Sequence, residues 1–87
     1  MVLHSVFPNP ADVEITISFT LPEAETMQTV LFSMTDVMGK KCMDFQGIFE
    51  SGYHETTWIR PKDTANGVYF LNLKSGGASK QARVVLK

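Results

Sequence analysis

Apolar and polar residues alternate with a period of two along most of the chain. Val13, Ile15, Ile17, Phe19 and Leu21 fall on one side of an extended backbone, and Glu14, Thr16, Ser18 and Thr20 on the other. Successive strand side chains point to opposite faces, so this run predicts a half-buried strand. Pro22, Glu23 and Ala24 end it. Thr29 to Thr35 predicts a second strand, whose consecutive apolar residues imply burial on both faces. No stretch keeps the i, i+3, i+4, i+7 spacing long enough for a helix. The pattern is all-β.

Turn-forming residues divide the remainder. Asp36-Val37-Met38-Gly39-Lys40 predicts a tight reversal, with Gly39 free to take the positive φ it requires. A strand over Lys41 to Gln46 follows, and Gly47 and Gly52 are expected to bracket a loop. Tyr53 to Trp58 is rich in β-branched and aromatic residues, as strands prefer. Pro61 to Ala65 is a connection, and Asn66-Gly67 a turn before the aromatic strand Val68 to Leu73. Ser75-Gly76-Gly77-Ala78 turns the chain into a terminal strand, Gln81 to Leu86, that pairs back as a hairpin. Upstream, Phe7-Pro8-Asn9-Pro10 is stiff and suits a sheet only at its edge. With a short strand around Val2 to Val6, about seven strands at these spacings predict an immunoglobulin-like antiparallel β-sandwich. Ile15, Ile17, Phe19, Phe32, Trp58, Tyr69, Leu71 and Leu73 are its expected core, and the Tyr69 hydroxyl is expected to anchor a nearby backbone group as in a tyrosine corner.

The 87 residues fit one domain, residues 1–87, in which 1–6 form a linker or a first edge strand. The net charge of −1 gives no basic excess for nucleic acid or an anionic membrane. Its distribution is uneven. Residues 1–60 hold three basic groups against eight acidic ones, a balance of −5, whereas 61–87 hold five basic groups against Asp63 alone, a balance of +4. No run of 18 apolar residues and no signal-peptide pattern is present, so by itself this segment is expected neither to span a membrane nor to enter the general secretory route.

Candidate chemistry is sparse. The single Cys42 excludes an internal disulfide, and one Cys with two His is too few for a thiolate metal site. Cys42 is expected to act as a small buried hydrophobe. His54 and Glu55 are neighbours on a strand and face opposite ways, so they cannot act on one substrate. His54 is expected as an ordinary half-buried strand histidine, and no nucleophile meets a base. No enzyme activity and no cofactor are expected. The acid-free stretch with Lys74, Lys80, Arg83 and Lys87 reads either as edge-strand cations that discourage unwanted pairing or as a docking surface for an acidic partner.

Four segments taken together resemble a known family. Phe7-Pro8-Asn9-Pro10-Ala11 is similar to an aromatic-Pro-Asn-Pro-Ala opening, and Asp36-Val37-Met38-Gly39-Lys40 to an Asp-x-x-Gly-Arg turn. Gly52-Tyr53-His54 through Trp58 resembles a Gly-x-His strand ending in Trp, and Asn66-Gly67-Val68-Tyr69-Phe70 a Ser-Gly-Val-Tyr-Phe hairpin. In this order, with the basic-apolar finish Lys80 to Lys87, they resemble the C-terminal sorting domain of cargo exported by the type IX (Por) secretion system of Bacteroidota. Lys40, Asn66 and the pair Ile59-Arg60 depart from the family's usual residues. The family motif residues Phe7, Pro8, Asn9, Pro10, Asp36, Gly39, Gly52, Trp58, Gly67 and Tyr69 are expected to be mainly structural.

The resemblance implies an N-terminal cargo domain that crosses the periplasm, an outer-membrane translocon that recognises this module, and a sortase-like cysteine protease that removes it at the cell surface. Translocon recognition is expected on Lys80, Arg83, Val84, Val85, Leu86 and Lys87, with no nucleic-acid partner. The Gly76-Gly77 hinge also allows a strand-swapped homodimer. The competing reading is an immunoglobulin or fibronectin-III-like accessory module that binds carbohydrate. An exposed aromatic row on one sheet would favour it.

Overall fold

The computed structural model describes residues 1–87 and contains only strands, turns and connections. β1 is Val2–Phe7, β2 Glu14–Leu21, β3 Gln28–Asp36, β4 Lys41–Phe49, β5 Gly52–Ile59, β6 Gly67–Ser75 and β7 Ala78–Leu86. They form two antiparallel sheets, ordered β1-β2-β5 and β4-β3-β6-β7. This is the expected immunoglobulin-like sandwich, and the segment around Val2 to Val6 is its first edge strand.

The core lies between the inner faces. Ile15, Ile17, Phe19 and Leu21 of β2 meet Val30, Phe32 and Met34 of β3, Leu71 and Leu73 of β6, and Val84 and Leu86 of β7, all essentially without solvent contact. Phe19 packs edge-on against Phe32 and Phe49, with centroids 5.7 and 5.3 Å apart, and Phe32 stacks on Phe45 at 4.6 Å. Aromatic rings favour these offset and edge contacts.

Several expectations need correction. Trp58 belongs to the periphery of the core and is only half-buried. It sits on β5, an edge strand, where an inward side chain is covered on one side only. Val13 precedes β2 and is 63% exposed, because the strand begins at Glu14. Leu31 points outward from β3, which alternates strictly and is buried on one face. Gly47 lies inside β4, and only Glu50 and Ser51 separate β4 from β5. Cys42 is exposed. Met34 pairs with Met43 and Thr35 with Lys41, so Cys42 is the extra residue of a β-bulge and is left outside the ladder.

The register sets two poles on a molecule measuring 40 × 22 × 17 Å. One pole holds the start of β1, the β2–β3 and β4–β5 connections and the Gly76-Gly77 turn. The other gathers residues 8–13, the β3–β4 turn, residues 60–66 and the end of β7. Connections at the first pole carry Glu23, Glu25 and Glu50 and no cation, while the second carries Lys40, Arg60, Lys62 and Lys87 against Asp12 and Asp63.

Candidate functional site: the end of the terminal strand

β7 pairs with β6 from Ser75↔Ala78 to Gly67↔Leu86, as the hairpin reading expects. The turn is two residues long, with Gly76 at φ 58°, a conformation that costs glycine little. Of the residues expected to contact a translocon, Lys80, Arg83 and Lys87 are exposed and Val85 is half-buried. Val84 and Leu86 are core side chains, 0% and 2% exposed. The strand thus offers its cations outward while its two large apolar residues hold it to the sandwich.

The outer edge of β7 is not bare along its whole length. Asn9 Nδ2 donates to Arg83 O at 3.0 Å, and Asn9 Oδ1 accepts from the Val85 N–H at 3.0 Å. Next along, the Ala11 N–H donates to Val85 O and the Lys87 N–H to Ala11 O, both at 2.8 Å. Ala11 makes a parallel bridge to Leu86 and is itself buried. The proline-rich segment therefore joins a sheet at its edge, as its chemistry requires.

Arg60 secures the same corner. Its Nη1 donates to Asp12 O at 3.0 Å and Lys87 O at 2.9 Å, and its Nη2 to Thr64 O at 2.8 Å and Asn66 Oδ1 at 2.6 Å. The backbone N–H of Arg60 donates to Val13 O at 2.9 Å. A guanidinium presents several donors in a rigid plane, and here they tie two connections, residues 8–13 and 60–66, to Lys87. Arg60 and Asn66, two departures from the family pattern, are thus each other's partners.

The other motif residues have structural posts. Asp36 Oδ1 accepts from the Met38 and Lys40 N–H groups, both at 2.9 Å, and Gly39 takes φ 86°. Gly52 opens β5 at φ 111° and Gly67 opens β6. The Tyr69 hydroxyl donates to Ala65 O at 2.6 Å, closing the expected tyrosine corner. Burial, then the Cys42 and Asp36 charges, raise the Tyr69 phenol above its usual range against an opposing pull from Arg60. Phe7, Pro8 and Pro10 lie on the path from β1 to the Asn9 and Ala11 contacts, Phe7 being 43% exposed.

No catalytic arrangement emerges around the titratable residues. His54 is half-buried, bonds to Glu50 O through Nε2 at 2.7 Å and packs on Phe19 and Phe49. Although Cys42 is exposed, partial desolvation of its thiol and then the Asp36 charge raise its pKa, which disfavours the nucleophilic thiolate. No group of three His, Cys, Asp or Glu side chains is placed to hold a metal ion. Only Phe7 and Tyr53 are exposed among the aromatic residues. They lie on opposite outer strands, registered to Thr16 and Thr20 of β2, and do not form a row.

The match to protein families decides among these readings. Residues 5–87 match the family described as secretion system C-terminal sorting domain. The chain belongs to that family. No curated protein and no solved structure matches it significantly. The sorting domain is a C-terminal signal for cargo of type IX secretion, so it works attached to an N-terminal cargo, engages the secretion machinery and leads to the cell surface or extracellular space. The family is not an enzyme family.

Proposed function

We propose that this sorting domain, residues 1–87 as one non-catalytic module, addresses its cargo through the terminal strand β7. Lys80, Arg83, Val84, Val85, Leu86 and Lys87 form the element that the outer-membrane translocon recognises. The observation that carries this reading is the exposure of Lys80, Arg83 and Lys87 along an acid-free edge strand that ends at the basic pole. An acidic partner surface would be drawn to these cations, and alternate side chains and an edge backbone are what strand-addition recognition uses. The cargo reaches the translocon from the periplasm. A sortase-like cysteine protease then removes the module at the cell surface, and the reactive cysteine belongs to that protease.

The test is a periplasmic reporter fused to residues 1–87, compared with the same fusion lacking Val84 to Lys87. Reporter trapped in the periplasm, with the truncated module still folded by circular dichroism, is the expected result. Normal surface delivery would overturn it, and delivery lost only in step with unfolding would assign the effect to stability. A strand-exchanged homodimer follows from the same topology if the Gly76-Gly77 turn opens. Light scattering that gives a strict monomer at high concentration and after refolding would dismiss it.

A further inference from the structure

The last residues of β7 are bonded along both edges, which is unusual for the outermost strand of an open sheet. Antiparallel pairing alternates, so the even-numbered residues of β7 turn their N–H and C=O groups toward β6 and the odd-numbered ones turn theirs outward. The outward groups split into two sets. Those of Arg83 O, Val85 and Lys87 N–H meet Asn9 and Ala11. Those of Ser79, Gln81 and the Arg83 N–H have no strand beside them.

The Asn9 side chain explains how a proline-rich segment covers a strand. An amide offers one carbonyl acceptor and a donor, the same pair that a strand residue presents with its backbone. Asn9 uses both on Arg83 and Val85, and Ala11 supplies the next pair from its own backbone. Pro8 and Pro10 flank Asn9 without N–H groups, so the cover does not itself extend the sheet edge. Arg60 then holds Lys87 O and Asp12 O together, closing the far side of Ala11.

We propose that Asn9 and Arg60 are positioning residues that latch the end of β7, and that the export machinery reads the terminal strand in this latched position, through Lys80, Arg83, Lys87 and the bare backbone of residues 79–83. The proposal rests on the reading that β7 is the recognised element and narrows how it is recognised. Release of the strand would break bonds on both edges and expose Val84 and Leu86, whereas recognition in place needs no opening. The latch holds three cations in fixed register on the outermost strand of the sheet.

Amide hydrogen exchange on the 87-residue chain tests the latch. In the wild type, Val85 and Lys87 exchange slowly and Gln81 and Arg83 rapidly. Asn9→Ala should speed Val85 about tenfold, and Arg60→Ala should do the same for Lys87, while Val84 and Leu86, bonded to β6, stay protected. Wild-type Val85 exchanging as fast as Gln81, or all four end residues opening together in Asn9→Ala, would overturn the latch.

Export tests the recognition. Reporter fusions carrying Asn9→Ala or Arg60→Ala, with wild-type circular dichroism, should be delivered several-fold less well; undiminished delivery despite lost protection would overturn the proposal. A disulfide staple between bridge partners, Ala11→Cys with Leu86→Cys in a Cys42→Ser background, should be delivered equally well oxidised and reduced, the loss of the Leu86 side chain being common to both states. Delivery blocked by the staple and restored by reduction would show that the strand must leave its place. Full delivery without Val84 to Lys87 would instead defeat the underlying reading of β7.

Discussion

The ring of Phe49 occupies the space that a side chain on Gly47 would need. A Cβ at Gly47 would stand 2.8 Å from Phe49 Cε2 and 2.9 Å from Cζ. The same ring touches Phe19, Phe32 and His54, so it cannot swing aside without loosening that cluster. Gly47 is in the strand because its neighbour two places on must fold back over it. Gly47→Val should destabilise the module by about 1–3 kcal/mol, the usual cost of overpacking. Chemical denaturation measures it, and an unchanged midpoint would show that Phe49 relocates freely.

Tyr69→Phe removes the hydroxyl donated to Ala65 O and should cost about 1 kcal/mol. It should also change the response to alkali. The folded-state phenol titrates above its unfolded value, so its contribution is fully present below about pH 10 and is lost as pH rises through the folded pKa. Melting followed from pH 8 to 11 should fall more steeply in wild type than in Tyr69→Phe. Cys42, also raised, needs the Cys42→Ser background as a control. Parallel curves for the two proteins would contradict the assignment.

Trp58→Ala should cost about 2 kcal/mol, less than the 3–5 kcal/mol typical of a fully buried tryptophan, because the indole lies half-covered on β5. Urea denaturation monitored by circular dichroism checks it, since the mutation removes the only tryptophan signal. A loss above about 4 kcal/mol would place the ring in the central core.

Asp36→Ala strips the β3–β4 turn of a carboxylate that accepts two backbone N–H groups and should cost about 1–2 kcal/mol. Asp36→Asn keeps an acceptor and should recover most of the loss. Equal destabilisation by both variants would show that the charge, not the acceptor, matters.

What the sequence made legible was local. The alternation from Ile15 to Leu21, the Asp36 to Lys40 turn and the Gly76-Gly77 reversal each depend on residues within a few positions of one another, and each appears in the fold. Leu31 was misleading because three apolar residues in a row read the same whether one face or both are covered, and a lone Leu on the surface is ordinary. Gly47 looked like a break because glycine usually marks one, and only the Phe49 ring above it explains its use. Cys42 left the core through a bulge that no alternation announces. The latch was hidden for a different reason. Asn9 meets Arg83 across 74 residues of chain, and nothing in a proline-flanked asparagine tells which strand its amide will mimic. Arg60 stood out only as a departure from the family, though its four acceptors make it the most connected side chain at that pole.

The meeting of residues 9–11 with 83–87 has a consequence for synthesis on the ribosome. β1 and β2 emerge early, but the place that Ala11 fills does not exist until residues 85–87 have cleared the exit tunnel. A product whose translation stops at residue 77 lacks β7, leaves the apolar inner face of β6 uncovered and gives Asn9 nothing to bind. Such a product has no completed sandwich. Closing the sandwich with β7 therefore leaves residues 9–11, made early, without their partner until the rest of the domain has been synthesised.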